Sequence, residues 1–102
     1  MDDRESYRQG MASYHAGRYE DTIALLTPAA TCGEGAYRLI SRFYLGQSHY
    51  RLAVRLFDQR RFRESADNFR KAAEVNPSGG GVARFLAACC SGNRGLEQTA
   101  SL

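Results

Sequence analysis

Between residues 10 and 72 the chain repeats its own order of small and bulky side chains at an interval of 43 residues. Tyr19, Thr22, Leu26 and Ala29 are answered by Phe62, Ser65, Phe69 and Ala72, and upstream Gly10 and Tyr14 are answered by Ala53 and Phe57. An interval of this order marks one supersecondary unit used twice, each copy needing a neighbour to cover its apolar face. The clearer copy ends in Arg61 to Pro77. There Phe62, Ala66, Phe69 and Ala73 form an apolar stripe at helical spacing, flanked by Ser65 and Ala72, small enough to let a partner helix come close. Arg60, Glu64, Asp67, Arg70 and Lys71 take the opposite side, where Asp67 and Lys71 stand as a favourable i,i+4 pair. Val75-Asn76-Pro77 stops the helix.

The two units, YRQGMASYHAGRYEDTIALLTPAA and YRLAVRLFDQRRFRESADNFRKAAEVNP, resemble tetratricopeptide repeats. The second carries Leu52-Ala53, Phe57, Phe62, Ser65, Phe69, Ala72 and Pro77 in the family's order; the first keeps Gly10, Gly17-Arg18-Tyr19 and Ala29 but has Thr22 where the family has a small alanine-like residue. The resemblance implies an all-α fold of antiparallel helix-turn-helix repeats, an α-solenoid of about five helices in one domain over residues 1–102. Repeat 1 then occupies 1–30, repeat 2 occupies 36–77 with its first helix extended, a half-repeat cap falls at 79–91, and 92–102 is a tail. In this family the first helix of each repeat faces a concave groove. By resemblance, Tyr7, Met11, Tyr14 and His15 from the first helix, and Tyr50, Val54 and Phe57 from the third, become candidate contacts for a bound peptide. Read from spacing alone, a Tyr/Met stripe is simply core. Members that clamp the carboxylate terminus of chaperones use lysine, asparagine and arginine on successive first helices. This chain has Tyr7, Met11, Val54 and Ala88 in the corresponding groove, so that clamp is not expected.

A family repeat has 34 residues, so the interval of 43 leaves nine extra in the run from Ala36 to Asp58. Its first half puts Ala36, Leu39, Ile40, Phe43 and Tyr44 opposite Arg38 and Arg42; from Gln47 onward Tyr50, Leu52, Ala53, Leu56 and Phe57 oppose Arg51, Arg55 and Asp58. The polar side rotates by roughly 140° between the halves. A straight helix on one flat surface cannot satisfy both. The reading adopted is one continuous helix covered from two directions, because an internal glycine such as Gly46 costs only about 1 kcal/mol and no proline interrupts. Tyr37, Ile40, Phe43 and Tyr44 then need an apolar support, either the segment at Pro28 or a second chain, and are the candidates for self-association. Pro28 itself is expected to kink or end the second helix within a turn, with Thr31 to Gly35 as a flexible turn.

No apolar run approaches the ~20 residues of a membrane span, and Met1 to Glu5 is acidic and polar rather than a signal sequence; a cytoplasmic location is the expectation. Cys32 and the adjacent Cys89-Cys90 are odd in number and lack framework spacing, which favours reduced thiols. The formal charge of +3 rests on arginines and a single Lys71, a balance better read as coding bias than as selection for phosphate. The arginines do crowd at one place. Arg51, Arg55, Arg60, Arg61 and Arg63 make a basic patch whose alternative use is RNA or another polyanion. His15, His49 and the cysteines show no metal-ligand spacing, no nucleophile has a base at a matching spacing, and Gly79-Gly80-Gly81 lacks the lysine of a phosphate loop. The sequence therefore points to a noncatalytic scaffold without cofactor or metal. The expected partner is a protein or peptide, with self-association as a homodimer part of the same reading; a structural spacer within a larger assembly is a separate reading.

Overall fold

The structure is a computed structural model that describes residues 2–75. They form α1 (Asp3–His15), α2 (Tyr19–Cys32), α3 (Gly35–Asp58) and α4 (Phe62–Val75), with no strand among the described residues. Over this span the chain is all-α, with four helices where about five were expected. The expected cap at 79–91, the tail and the stop at Pro77 lie outside the described residues.

Asp2 caps α1, its carboxylate accepting the Glu5 amide at 2.8 Å. α1 and α2 form one helical hairpin, α3 and α4 another, and both turns are closed by the same hydrogen bonds. In the first, the amides of Ala16, Gly17 and Arg18 donate to the carbonyls of Ala12, Tyr14 and Ser13; in the second, those of Gln59, Arg60 and Arg61 donate to Arg55, Phe57 and Leu56. Each bond lies 43 residues after its counterpart. Each turn also places one residue in the left-handed region, Gly17 at φ 78° and Arg60 at φ 61°. Glycine takes this conformation freely, whereas a residue with a Cβ gives up about 1–2 kcal/mol.

α3 is the central element, flanked by α2 and α4, with α1 reaching it largely through tyrosine side chains. Between α3 and α4, Phe69 packs over Ala53 and Ala66 with Tyr50 against it. Between α2 and α3, Leu26, Ala30 and Leu45 form a second cluster, closed by Tyr7, Ile23, Tyr44 and Val75. Small hydroxyl residues sit fully buried where helices meet, and their polar atoms are mostly returned to backbone. Thr22, the departure from the small residue expected there, donates its hydroxyl to the Arg18 carbonyl at 3.0 Å and is accommodated with no exposure. Its counterpart Ser65 donates instead across helices to the Ala53 carbonyl at 2.6 Å, tying α4 to α3. Ser48 donates to the Tyr44 carbonyl at 2.7 Å.

Three expectations need correction. Of the two outcomes expected at Pro28, a kink or an end, the end does not occur: α2 continues to Cys32 with the proline inside. Pro28 and Ala24 are both exposed, so the carbonyl that loses its helical donor lies on the solvent side, while buried Ala29 and Ala30 hold the last turn on the core. The expected five-residue turn therefore shrinks to Gly33 and Glu34 between α2 and α3. On α4, Asp67 pairs with Arg70 at 2.9 Å rather than with Lys71. The continuous α3 is present as read, 24 residues or about 36 Å long, its first half facing tyrosines of α1 and its second half facing α4.

One buried polar pair makes stability depend on pH. His49 is 8% exposed, and its Nδ1–H donates to Asn68 Oδ1 at 2.9 Å, while Asn68 Nδ2 donates to the Glu64 carbonyl. Burial pushes the imidazole below its usual value near 6.5; the Asn68 hydrogen bond acts against that, and nearby Lys71 adds to it. Below about pH 6.5 the unfolded chain takes up a proton that the folded chain resists, so this contribution is complete above that pH and is lost as pH falls toward the folded value. Urea midpoints are expected to fall as the pH is lowered below about 6.5 in the wild type and to fall less in His49→Gln. Parallel curves would show that His49 is not the source.

Candidate functional site

The C-terminal half of α3 presents Gln47, Tyr50, Arg51, Val54, Arg55 and Asp58 along one side, each with a neighbour three or four residues away, and Tyr19 from the start of α2 closes the other wall. The open groove between them encloses about 470 Å³. Tyr50 is anchored from below, its ring edge-on to Phe69 at 5.4 Å, whereas Val54 stays 41% exposed on the groove floor.

The arginines here are held by aromatic rings rather than by acids. The Arg51 guanidinium lies 5.5 Å from the Tyr14 ring centre, and its Nε–H donates to the Tyr14 hydroxyl at 2.7 Å. Arg55 lies 4.9 Å over the Tyr19 ring. Hydrogen bonding to Tyr14 first, and to Tyr19 to a lesser degree, raises Arg51 further above its ordinary range, so it is charged at any relevant pH. Tyr14 is the hub of this arrangement, edge-on to Tyr19 at 5.7 Å, to Tyr44 at 5.3 Å and to His15 at 5.7 Å.

The candidate residues divide accordingly. Tyr14, Tyr50 and Val54 come together at or beside the groove. Tyr7 packs on the Leu26–Leu45 cluster and edge-on to Tyr37 at 6.0 Å; burial among Tyr44 and Tyr37 raises its hydroxyl pKa. Met11 is half-buried on α1 and His15 is exposed at its end. Phe57 leaves the groove and meets Phe62 edge-on at 5.2 Å. Of the self-association candidates, Tyr37 and Tyr44 meet rings of α1 and Phe43 meets Tyr44 edge-on at 5.1 Å, while Tyr37, Ile40 and Phe43 remain 37%, 36% and 48% exposed beside Leu39 at 71%.

The basic patch also divides, because Arg51 and Arg55 line the groove whereas Arg60, Arg61 and Arg63 lie at the α3–α4 turn, where Arg61 is paired with Glu64. Among the described residues, no three His, Cys, Asp or Glu side chains converge as a metal site would require, and no helix is long and apolar enough to cross a membrane. Reasoning from sequence passed over Tyr19, Gln47 and Asp58 as groove residues. The signal available in the sequence is the polar stripe Gln47–Arg51–Arg55–Asp58 interleaved with Tyr50 and Val54.

No family model matches this sequence, and neither a curated protein nor a solved structure matches it.

Proposed function

We propose that this chain is a noncatalytic interaction module of tetratricopeptide type, which receives a peptide or helix along the groove of α3. The observation that carries the reading is the groove itself. An exposed aliphatic floor at Val54 and a braced aromatic ring at Tyr50 lie beside two fixed cations, a mixture suited to side chains of a guest. The two hairpins with matching turn bonds at the 43-residue interval support the repeat architecture. Selection of a random-peptide phage library on the wild-type protein is expected to enrich binders. Val54→Glu, a change at an exposed position that leaves the helical circular dichroism intact, is expected to reduce their capture by about tenfold or more. Failure to enrich any peptide, or equal capture by the variant, removes the groove as the binding surface.

A role in self-association belongs to the same proposal and rests on the outward Leu39, Ile40 and Phe43. Light scattering over a range of concentrations is expected to show a dimer that Phe43→Asp dissociates; a monomer at every concentration ends this part of the proposal.

A further inference from the structure

We infer that the groove selects an acidic peptide and grips one of its carboxylates between the guanidinium groups of Arg51 and Arg55. This rests on the groove reading above and adds the chemistry of the guest. The two arginines stand one helical turn apart on the same side of α3, the guanidinium carbon of Arg51 5.5 Å from the centre of the Tyr14 ring and that of Arg55 4.9 Å from the centre of the Tyr19 ring. Holding a guanidinium over a ring leaves N–H groups to donate, since it carries more of them than the one bond from Arg51 to Tyr14 uses. It also removes the rotamer freedom that an exposed arginine would otherwise lose on binding, so the donors are already ordered.

Both arginines stand outside the ion pairs found among the described residues. Arg8, Arg18, Arg61 and Arg70 each pair with an acid one turn away on the same helix or its start, namely Glu5, Asp21, Glu64 and Asp67. No such ion pair involves Arg51 or Arg55 among the described residues. Their fixed partners are the neutral phenols Tyr14 and Tyr19, which orient the charge without neutralising it. Asp58 closes the same groove one turn beyond Arg55. Its charge repels a run of closely spaced phosphates more than it repels a single carboxylate. Tyr50 and Val54 then offer an apolar seat for the residue next to that carboxylate.

The test uses fluorescein-labelled synthetic copies of peptides enriched by the phage selection, measured by anisotropy on the intact chain. Enriched peptides are expected to share an Asp or Glu beside an apolar residue. Changing that Glu to Gln in the peptide, or Arg51 and Arg55 together to Gln in the protein, is expected to weaken binding by about tenfold each. Combining both changes is expected to cost little more than either alone, because they remove the same contact. Tyr14→Phe keeps the ring, loses the hydroxyl that aims Arg51, and is expected to fall in between. Binders lacking acidic residues, or an arginine variant that weakens the Glu and Gln peptides equally, overturn the inference while leaving the groove reading intact. That second result means that the arginines only brace α1 and α2 on α3, and a parallel drop in melting temperature accompanies it. Tighter binding of labelled oligothymidylate than of the acidic peptides overturns it in favour of nucleic acid. Enrichment of no peptide defeats the groove reading and this inference together.

Discussion

Phe69→Ala is expected to destabilise the protein by about 3–5 kcal/mol, a large part of the stability available to a domain of this size. The side chain is 2% exposed and lies where α4 crosses α3, over Ala53 and Ala66 and edge-on to Tyr50. Its neighbours are mostly alanines, which have no longer rotamer with which to fill the space left behind, so the cavity persists. At about 4 °C or more per kcal/mol, the melting temperature is expected to fall by at least ~12 °C. Phe62→Ala, at the half-buried rim of the same helix, serves as the comparison and is expected to cost about 1–2 kcal/mol. Chemical denaturation of both variants decides the matter: similar losses for the two would mean that Phe69 is not the centre of the α3–α4 interface. Because Phe69 also supports Tyr50 from beneath, its loss is expected to loosen the groove as well as the fold.

Gly10→Val is expected to cost about 3 kcal/mol, and even Gly10→Ala about 1–2 kcal/mol, although alanine favours a helix over glycine by about 1 kcal/mol. A Cβ at Gly10 would stand 2.6 Å from Leu26 Cδ2 and 2.9 Å from Leu26 Cγ, with Leu25 Cβ at 3.6 Å. Leu26 has no exposed surface and is wedged against Ala30 and Leu45, so it has nowhere to go and α1 must lift away from α2. The counterpart position in the second hairpin holds Ala53, whose methyl is buried against Phe69 without conflict. Helix propensity and packing thus predict opposite signs for Gly10→Ala, and a melting curve distinguishes them. A stabilised Gly10→Ala would show that α1 and α2 do not approach so closely. In the valine variant, Tyr14 is expected to part from Arg51 as α1 lifts, so the proposed peptide binding is expected to be lost with much of α3 and α4 still helical.

Much of the helical layout was legible in the residues. The 43-residue interval and the stripe through Phe69 follow from residue spacing, and both reappear in the fold. The long α3 was legible too, since a polar side that rotates along a helix requires cover from two directions. The end of α2 was not. Whether Pro28 breaks a helix depends on whether the freed carbonyl faces water or protein, and that is settled by neighbours far away in sequence. The groove was half legible: Tyr14, Tyr50 and Val54 were named, but Arg51 and Arg55 were assigned to a diffuse patch that also took in the α3–α4 turn.

Sequence alone determined that this chain is helical, that it uses one hairpin pattern twice and which residues form the apolar stripes, because those properties depend on contacts three and four residues apart. Only the tertiary structure decided which exposed side chains act together. Tyr14 and Arg51 are 37 residues apart in sequence and share a hydrogen bond, and Arg55 reaches Tyr19 across a comparable separation. Such pairings arise where α1 and α2 dock on α3, through space and not along the chain, and no periodicity within a single helix encodes them.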